Sequence, residues 1–192
     1  LTVDDIFKLF EPAHPVICIT GTNGKTTTTT LLKHLASDNG LKPCEHNLAN
    51  MQGNLADIPP LQARLNGDLS ILETGTFGFE GSLNRLITNC KADVGLITNI
   101  TEDHLTNSHD FLNYAKVKGE FVELLKNKTL IVNSDDPTIM SLLKELNNLG
   151  NNSRKIILLE KDKVSIGHHY IEDGFDAYID KNKLSDEIDK KI

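Results

Sequence analysis

The sequence predicts a doubly wound α/β fold built on a mostly parallel sheet, and three observations carry that prediction. Apolar runs recur without the polar alternation of a half-exposed strand, as expected of strands buried on both faces. Segments of helical period separate these runs. The first run also ends in a glycine-rich turn that opens onto a helix. A chain of 192 residues has room for one well-cored domain and little more.

Residues 1–14 read as a short helix and linker, closed by Pro12 and Pro15, and residues 15–192 as a single domain. Val16-Ile17-Cys18-Ile19 is the first buried strand, and the helix after its turn runs through Leu31, Leu32 and Leu35. Further strands are predicted at Leu69–Leu72, Val94–Ile97 and Thr129–Val132, with helices at about 53–66, 110–126 and 136–149. After a polar break from Asn147 to Ser153, Lys155–Leu159 reads as another strand. His168 to Ile179 reads as a small C-terminal β-hairpin turning at Glu172-Asp173-Gly174. The chain opens on Leu1 and stops in a charged tail, so it is expected to be a piece of a longer protein.

Composition narrows the function classes. The net charge is -7, with no Lys/Arg-rich block, which argues against a partner held by its nucleic-acid phosphates. No apolar run approaches the roughly 20 residues that span a bilayer, and the N-terminus lacks the basic and apolar parts of a signal peptide. Cys18, Cys44 and Cys90 are odd in number and form no CxxC pair, so neither a disulfide framework nor a zinc site is expected. The expected location is cytoplasmic.

Gly21-Thr22-Asn23-Gly24-Lys25-Thr26-Thr27 is the strongest motif. It lies between a buried strand and a helix, where glycines let main-chain N–H groups curl around an anion and the helix dipole favours negative charge. Lys25 has the reach for β- and γ-phosphates, and the Thr26 hydroxyl is a Mg²⁺ ligand of the usual kind. Ile19 stands where the common GxxxxGK[ST] pattern has its first glycine. The bland alternative, a plain βα turn, fits poorly with five consecutive threonines, which are mediocre helix formers.

Glu73 closes the second strand, and ligands of open parallel sheets sit at the carboxyl ends of strands. The third strand runs into Thr98-Asn99-Ile100-Thr101-Glu102-Asp103-His104-Leu105, where His104 is either a metal ligand or a surface histidine. On the helix at 110–126, Phe111, Tyr114, Phe121 and Leu125 make one apolar stripe, and Lys118 falls on it, whereas Lys116 points to the opposite side. Lys118 either snorkels to solvent or is buried and tends to lose its charge.

Taken in order over roughly residues 15–137, these motifs resemble the Mur ligase family of ATP-dependent amide ligases. The matching residues are the glycine-rich loop, Glu73, Thr98 to Leu105, Tyr114 to Gly119 and Val132-Asn133-Ser134-Asp135-Asp136-Pro137. The resemblance implies that Lys25 binds ATP phosphates, that Thr26 and Glu73 hold one Mg²⁺, and that His104 helps hold a second. It also implies a carbamylated lysine at Lys118, four residues after the tyrosine, and a loop near the reacting phosphate at Asn50 to Asn54. The implied reaction activates a peptide-linked or nucleotide-linked carboxylate as an acyl phosphate, which an amino-acid amine then attacks, in cell-wall peptide synthesis. Catalytic roles would thus fall to Lys25, Glu73, His104 and Lys118.

Three departures from the family pattern stand out. His104 to His109 does not reproduce the common DHLDxHG wording. No G-x-H-N-x-x-N stretch for reading adenine follows Gly167-His168-His169-Tyr170. The family's N-terminal substrate domain and its C-terminal domain that delivers the amine are expected to lie outside these 192 residues, so this piece is expected not to ligate alone. The wording at Asn47–Asn54 and Glu73–Gly78 looks more like archaeal pseudomurein peptide ligases than bacterial muramyl-peptide ligases. Against an amide ligase stand two other classes, a P-loop ATPase switch and a non-catalytic nucleotide-binding module. A switch has no need of Glu73, His104 and Lys118 on one rim.

Overall fold

The structure, a computed structural model, describes residues 1–45, 57–76, 79–101, 111–125, 127–147 and 155–159. The readings made on Asn50, on His104 and on the hairpin at 168–179 lie outside them. In chain order the elements are α1 (Val3–Leu9), β1 (Val16–Thr20), α2 (Lys25–Asp38), α3 (Ile58–Gln62), β2 (Ser70–Glu73), α4 (Ser82–Cys90), β3 (Val94–Ile97), α5 (Phe111–Leu124), β4 (Thr129–Asn133), α6 (Pro137–Asn147) and β5 (Lys155–Leu159).

The unbroken apolar runs become strands of one sheet, ordered β2-β1-β3-β4-β5, with every pairing parallel. Their registers match Val16 to Ser70, Ile17 to Val94, Val94 to Thr129 and Thr129 to Lys155. The strands therefore run level, and all their carboxyl ends lie on one rim. The chain leaves β1 toward β2 on one side, and β3 lies on its other side, which makes the rim between β1 and β3 a topological switch point.

The core gathers Cys18, Leu72, Ile97 and Leu130 of the sheet with Phe121 and Leu143 of the helices. Each such large side chain contributes on the order of 1.5–3 kcal/mol by leaving water. Asp136 starts α6 as an N-cap followed by Pro137, the residue pair best suited to that junction. Its buried carboxylate accepts from Thr138 N and Ile139 N at 2.9 and 3.1 Å. Residues 1–14 pack onto the domain, because Phe7 is buried and the Arg64 guanidinium donates to the carbonyls of Phe7, Phe10 and Asn89. Among the described residues no helix is long and apolar enough to cross a membrane.

Two expectations need correction. Of the helix predicted at about 53–66, the described residues hold only Ile58–Gln62, with Asp57 as its N-cap, and residues 63–68 turn toward β2. A helix not predicted from the sequence, α4, stands between β2 and β3 and buries Leu83, Leu86, Ile87 and Cys90.

Gly95 in β3 is needed for close packing. A Cβ there would lie 2.1 Å from Leu125 Cδ1 and 2.5 Å from Phe121 Cε1, the latter on a ring that cannot swing aside. Gly95→Ala is expected to lower unfolding stability by about 1–3 kcal/mol, the usual penalty of overpacking. A urea denaturation midpoint unchanged from wild type would refute this.

Candidate functional site

The site begins where β1 can no longer continue. After Thr20 the chain turns at Gly21, whose φ is +143°, and reaches α2 through Gly24 at φ +81°. A Cβ on Gly21 would sit 1.9 Å from Thr98 Oγ1, so this turn has room only for glycine. Gly24 is the N-cap of α2, supplies no side-chain cap, and no acidic residue lies in the first turn. The first N–H groups of a helix have no carbonyl four residues back to meet, and this end therefore suits an anion.

The Lys25 Nζ donates to the carbonyls of Gly21 and Thr22 at 3.0 and 2.8 Å, which holds the ammonium at the loop. One residue on, Thr26 Oγ1 donates to Glu73 Oε2 at 2.8 Å, joining the start of α2 to the end of β2. Thr27 is exposed in the first turn of α2. Thr22 is buried and its hydroxyl lies 3.1 Å from the hydroxyl of Tyr114 on α5.

Lys118 lies 2% exposed on α5, whereas Lys116 two residues earlier is exposed. Its Nζ donates to Thr20 Oγ1 at 3.2 Å and to Gly21 O at 3.1 Å, and it stands 5.4 Å from the centre of the Tyr114 ring. Burial, with the Lys25 charge adding to it, brings the Lys118 ammonium down to about 7. Two lysines thus converge on the carbonyl of Gly21, one of them ready to give up its proton near neutrality.

Four of the residues singled out from the sequence, Lys25, Thr26, Glu73 and Lys118, therefore surround one loop. His104 and Asn50 lie outside the described residues, and the geometry says nothing of them. Among the described residues no cluster of three or more His, Cys, Asp and Glu side chains forms a metal cage. Mg²⁺ takes one or two protein oxygens and completes its octahedron with water and phosphate oxygens. The hydroxyl–carboxylate pair of Thr26 and Glu73, beside two lysines and an uncapped helix start, fits a magnesium–nucleotide complex.

Sequence reasoning missed the part played by Thr98 and Asn99, noted there only as motif letters. Thr98 Oγ1 donates to Asn23 O at 2.6 Å, and Thr22 N donates to Asn99 O at 2.9 Å. The Asn99 side chain meets both sides of Asn23, accepting from its N–H at 2.9 Å and donating to its carbonyl at 3.0 Å. Ile100 N in turn donates to the carboxylate of Asp136.

Comparison with known proteins gives these observations a context. The family model for the Mur ligase middle domain matches residues 19–174. The UDP-N-acetylmuramoylalanine–D-glutamate ligase of Rickettsia felis is 34% identical over 137 residues, covering 70% of this chain and 28% of the relative. The ligase of the same name from Caldanaerobacter subterraneus is 30% identical over 174 residues, covering 88% and 34%. Among solved structures, a pseudomurein peptide ligase type C from Methanothermus fervidus superposes with a TM-score of 0.66 at 39% identity, covering 82% of this chain and 29% of that one. The chain spans about a third of the length of the relatives it matches.

Proposed function

The chain belongs to the Mur ligase family, and from that premise we propose that it is the ATP-binding core of an amide ligase of cell-wall peptide synthesis. The observation that carries this reading is the Thr26–Glu73 contact beside Lys25, a pair of oxygens placed where a cation bound to nucleotide phosphates would take them over. The loop from Gly21 to Thr27 then holds the ATP phosphates, with Mg²⁺ on Thr26 and Glu73. His104, Lys118 as its carbamate, and the segment at Asn50 would complete a second cation site and the surroundings of the reacting phosphate. The higher identity to a pseudomurein peptide ligase supports an archaeal-type peptide as substrate.

A carboxylate is a poor acyl donor, because its leaving group would be oxide. In the proposed reaction a carboxylate oxygen of the peptide substrate bonds to the γ-phosphorus of ATP as the bond to ADP breaks. An amino-acid nitrogen then attacks the acyl carbon, phosphate leaves with the bonding pair, and the new amide nitrogen loses a proton. A divalent cation held by Thr26 and Glu73 would offset repulsion between the attacking carboxylate and the phosphate. Lys25 and the helix start stabilise charge on the transferring group, and such preorganised donors act most strongly where water is excluded. The peptide and the amine would be delivered by an N-terminal and a C-terminal domain of the longer protein, acting in the cytoplasm. By itself the chain would bind nucleotide and form no amide bond.

The test uses the full-length ligase that contains this domain. Phosphate release from ATP should require a carboxylate acceptor, and hydroxylamine should trap an acyl hydroxamate. Lys25→Ala is expected to lower turnover by about 100-fold or more, as loss of a charge-stabilising donor does. ATP hydrolysis that needs no acceptor and leaves no trapped product would favour a switch ATPase.

A further inference from the structure

We propose that Asn99 is a positioning residue for the phosphate loop, and that main-chain contacts from this loop to a phosphate begin at Gly24 and not at Thr22. The inference rests on the nucleotide reading above and sharpens it.

The ladder between β1 and β3 ends at the pair Thr20 and Ile97, because Gly21 then turns the chain away. Beyond that pair the main-chain bonding turns irregular, with Thr98 N donating to Thr20 O and Thr22 N to Asn99 O. The Asn99 side chain takes over at the next residue, Asn23. Its planar amide presents an acceptor and a donor side by side, and both are used on one residue: Oδ1 takes the N–H of Asn23, and Nδ2 gives to the Asn23 carbonyl. Aspartate lacks the donor, and alanine lacks both. The main chain of Asn99 adds a third bond by accepting from Thr22 N. Thr98 Oγ1 adds a fourth, onto Asn23 O. Thr101 N donates to Thr22 Oγ1 at 3.1 Å, a further tie on the same two-residue segment.

Two consequences follow. The N–H groups of Thr22 and Asn23 point at Asn99 with good hydrogen-bond geometry, and an N–H so directed is turned from an anion inside the loop. Main-chain contacts to phosphate are thereby shifted to the start of α2, from Gly24 onward. The loop is also held in shape before any ligand arrives. If the free loop populated that shape only a tenth of the time, apparent affinity would fall about tenfold, without loss of any ligand contact.

Amide hydrogen exchange on the ligand-free chain tests the geometry directly. Thr22 and Asn23 should exchange slowly before nucleotide is added. Gly24 and Thr26 should become slow only when ATP and Mg²⁺ are present. In Asn99→Ala the Asn23 amide should exchange at least about tenfold faster, and the Kd for ATP with Mg²⁺ should rise about tenfold. Asn99 is half-exposed, so its melting temperature should stay close to wild type, which separates positioning from general stability. A variant that binds ATP as tightly as wild type overturns the proposal and leaves the nucleotide reading standing. Rapid exchange at Asn23 in the ligand-free wild type overturns it as well, even where the variant fails to fold. Wild-type chain that binds neither ATP nor ADP overturns both readings together.

Discussion

Gly21→Ala is expected to destabilise the domain by about 3–5 kcal/mol, because positive-φ strain and overpacking each cost on the order of 1–3 kcal/mol. The added Cβ would fall 1.9 Å from Thr98 Oγ1, and also 3.1 and 3.2 Å from the main-chain oxygen and nitrogen of Asn99. The threonine hydroxyl has some freedom to rotate, but in doing so it would give up its bond to Asn23 O. The Asn99 main chain has no such freedom, since its carbonyl accepts from Thr22 N. A matched control is Gly24→Ala. Its φ is also positive, at +81°, yet nothing lies within 4 Å of its added Cβ, so only the strain remains, about 1 kcal/mol. Urea denaturation of the two variants decides the matter. Equal losses would mean that the contact with Thr98 gives way without cost and that the loop is less rigidly seated than its hydrogen bonds imply.

Much of the sheet could be read from residue patterns, because strands buried on both faces leave unbroken apolar runs. Val16–Ile19 and Leu69–Leu72 were predicted within a residue on that basis, and β1 and β2 are buried at all but one position each. Val94–Ile97 was placed as well by its apolar run, although β3 alternates buried and partly buried positions. The helix α4 carries an equally regular pattern, with Leu83, Leu86, Ile87 and Cys90 at three- and four-residue steps, and it was still missed. Its nine residues are rich in Asn and Thr. Its ends are set by Gly81 and Lys91 in left-handed conformations, and Ser82, the residue before the first apolar position, is the first helical residue and makes no capping bond. In α2 the outcome runs the other way: a threonine run of poor intrinsic propensity is helical, as the motif required. There Thr29 is buried, and its hydroxyl bonds back to Lys25 O, so tertiary context decides.

The site divides along a similar line. Lys25, Thr26 and Glu73 were legible as residue types at the right ends of the right strands. The stripe on α5 distinguished Lys118 from Lys116, and the two differ in burial as that spacing would suggest. Asn99 was not legible, because it acts on the main chain of Asn23, 76 positions away. No pattern of side chains records which carbonyl a distant amide will meet. Only the parallel pairing of β1 with β3 brings the two together.

Lys118 should leave a signature in the dependence of stability on pH. Its ammonium is brought down to about 7 in the folded chain, first by burial and then by Lys25. In the unfolded chain it returns to the ordinary lysine value of about 10.4. Between these values the unfolded chain binds the extra proton, so stability rises with pH across that window; below about pH 7 the full penalty of burying the charge is present. The whole swing is on the order of 4 kcal/mol, with about 2 kcal/mol of it between pH 7 and 9. Lys118→Met keeps the length and removes the charge. It forfeits the bonds to Thr20 Oγ1 and Gly21 O at every pH, so its stability relative to wild type should be greatest near pH 6 and fall by about 2 kcal/mol by pH 9. The Cys90 thiol, pushed up chiefly by burial, adds its own slope at alkaline pH, but to both proteins alike, and it cancels in the difference. Denaturation midpoints of the two proteins, compared at several pH values, give that difference. A difference that does not change with pH would mean that Lys118 ionises as an ordinary exposed lysine, and the proposed carbamate would lose its chemical basis. Carbon dioxide combines with a neutral amine, and the burial that makes this lysine costly to the fold is what makes its neutral form available near pH 7.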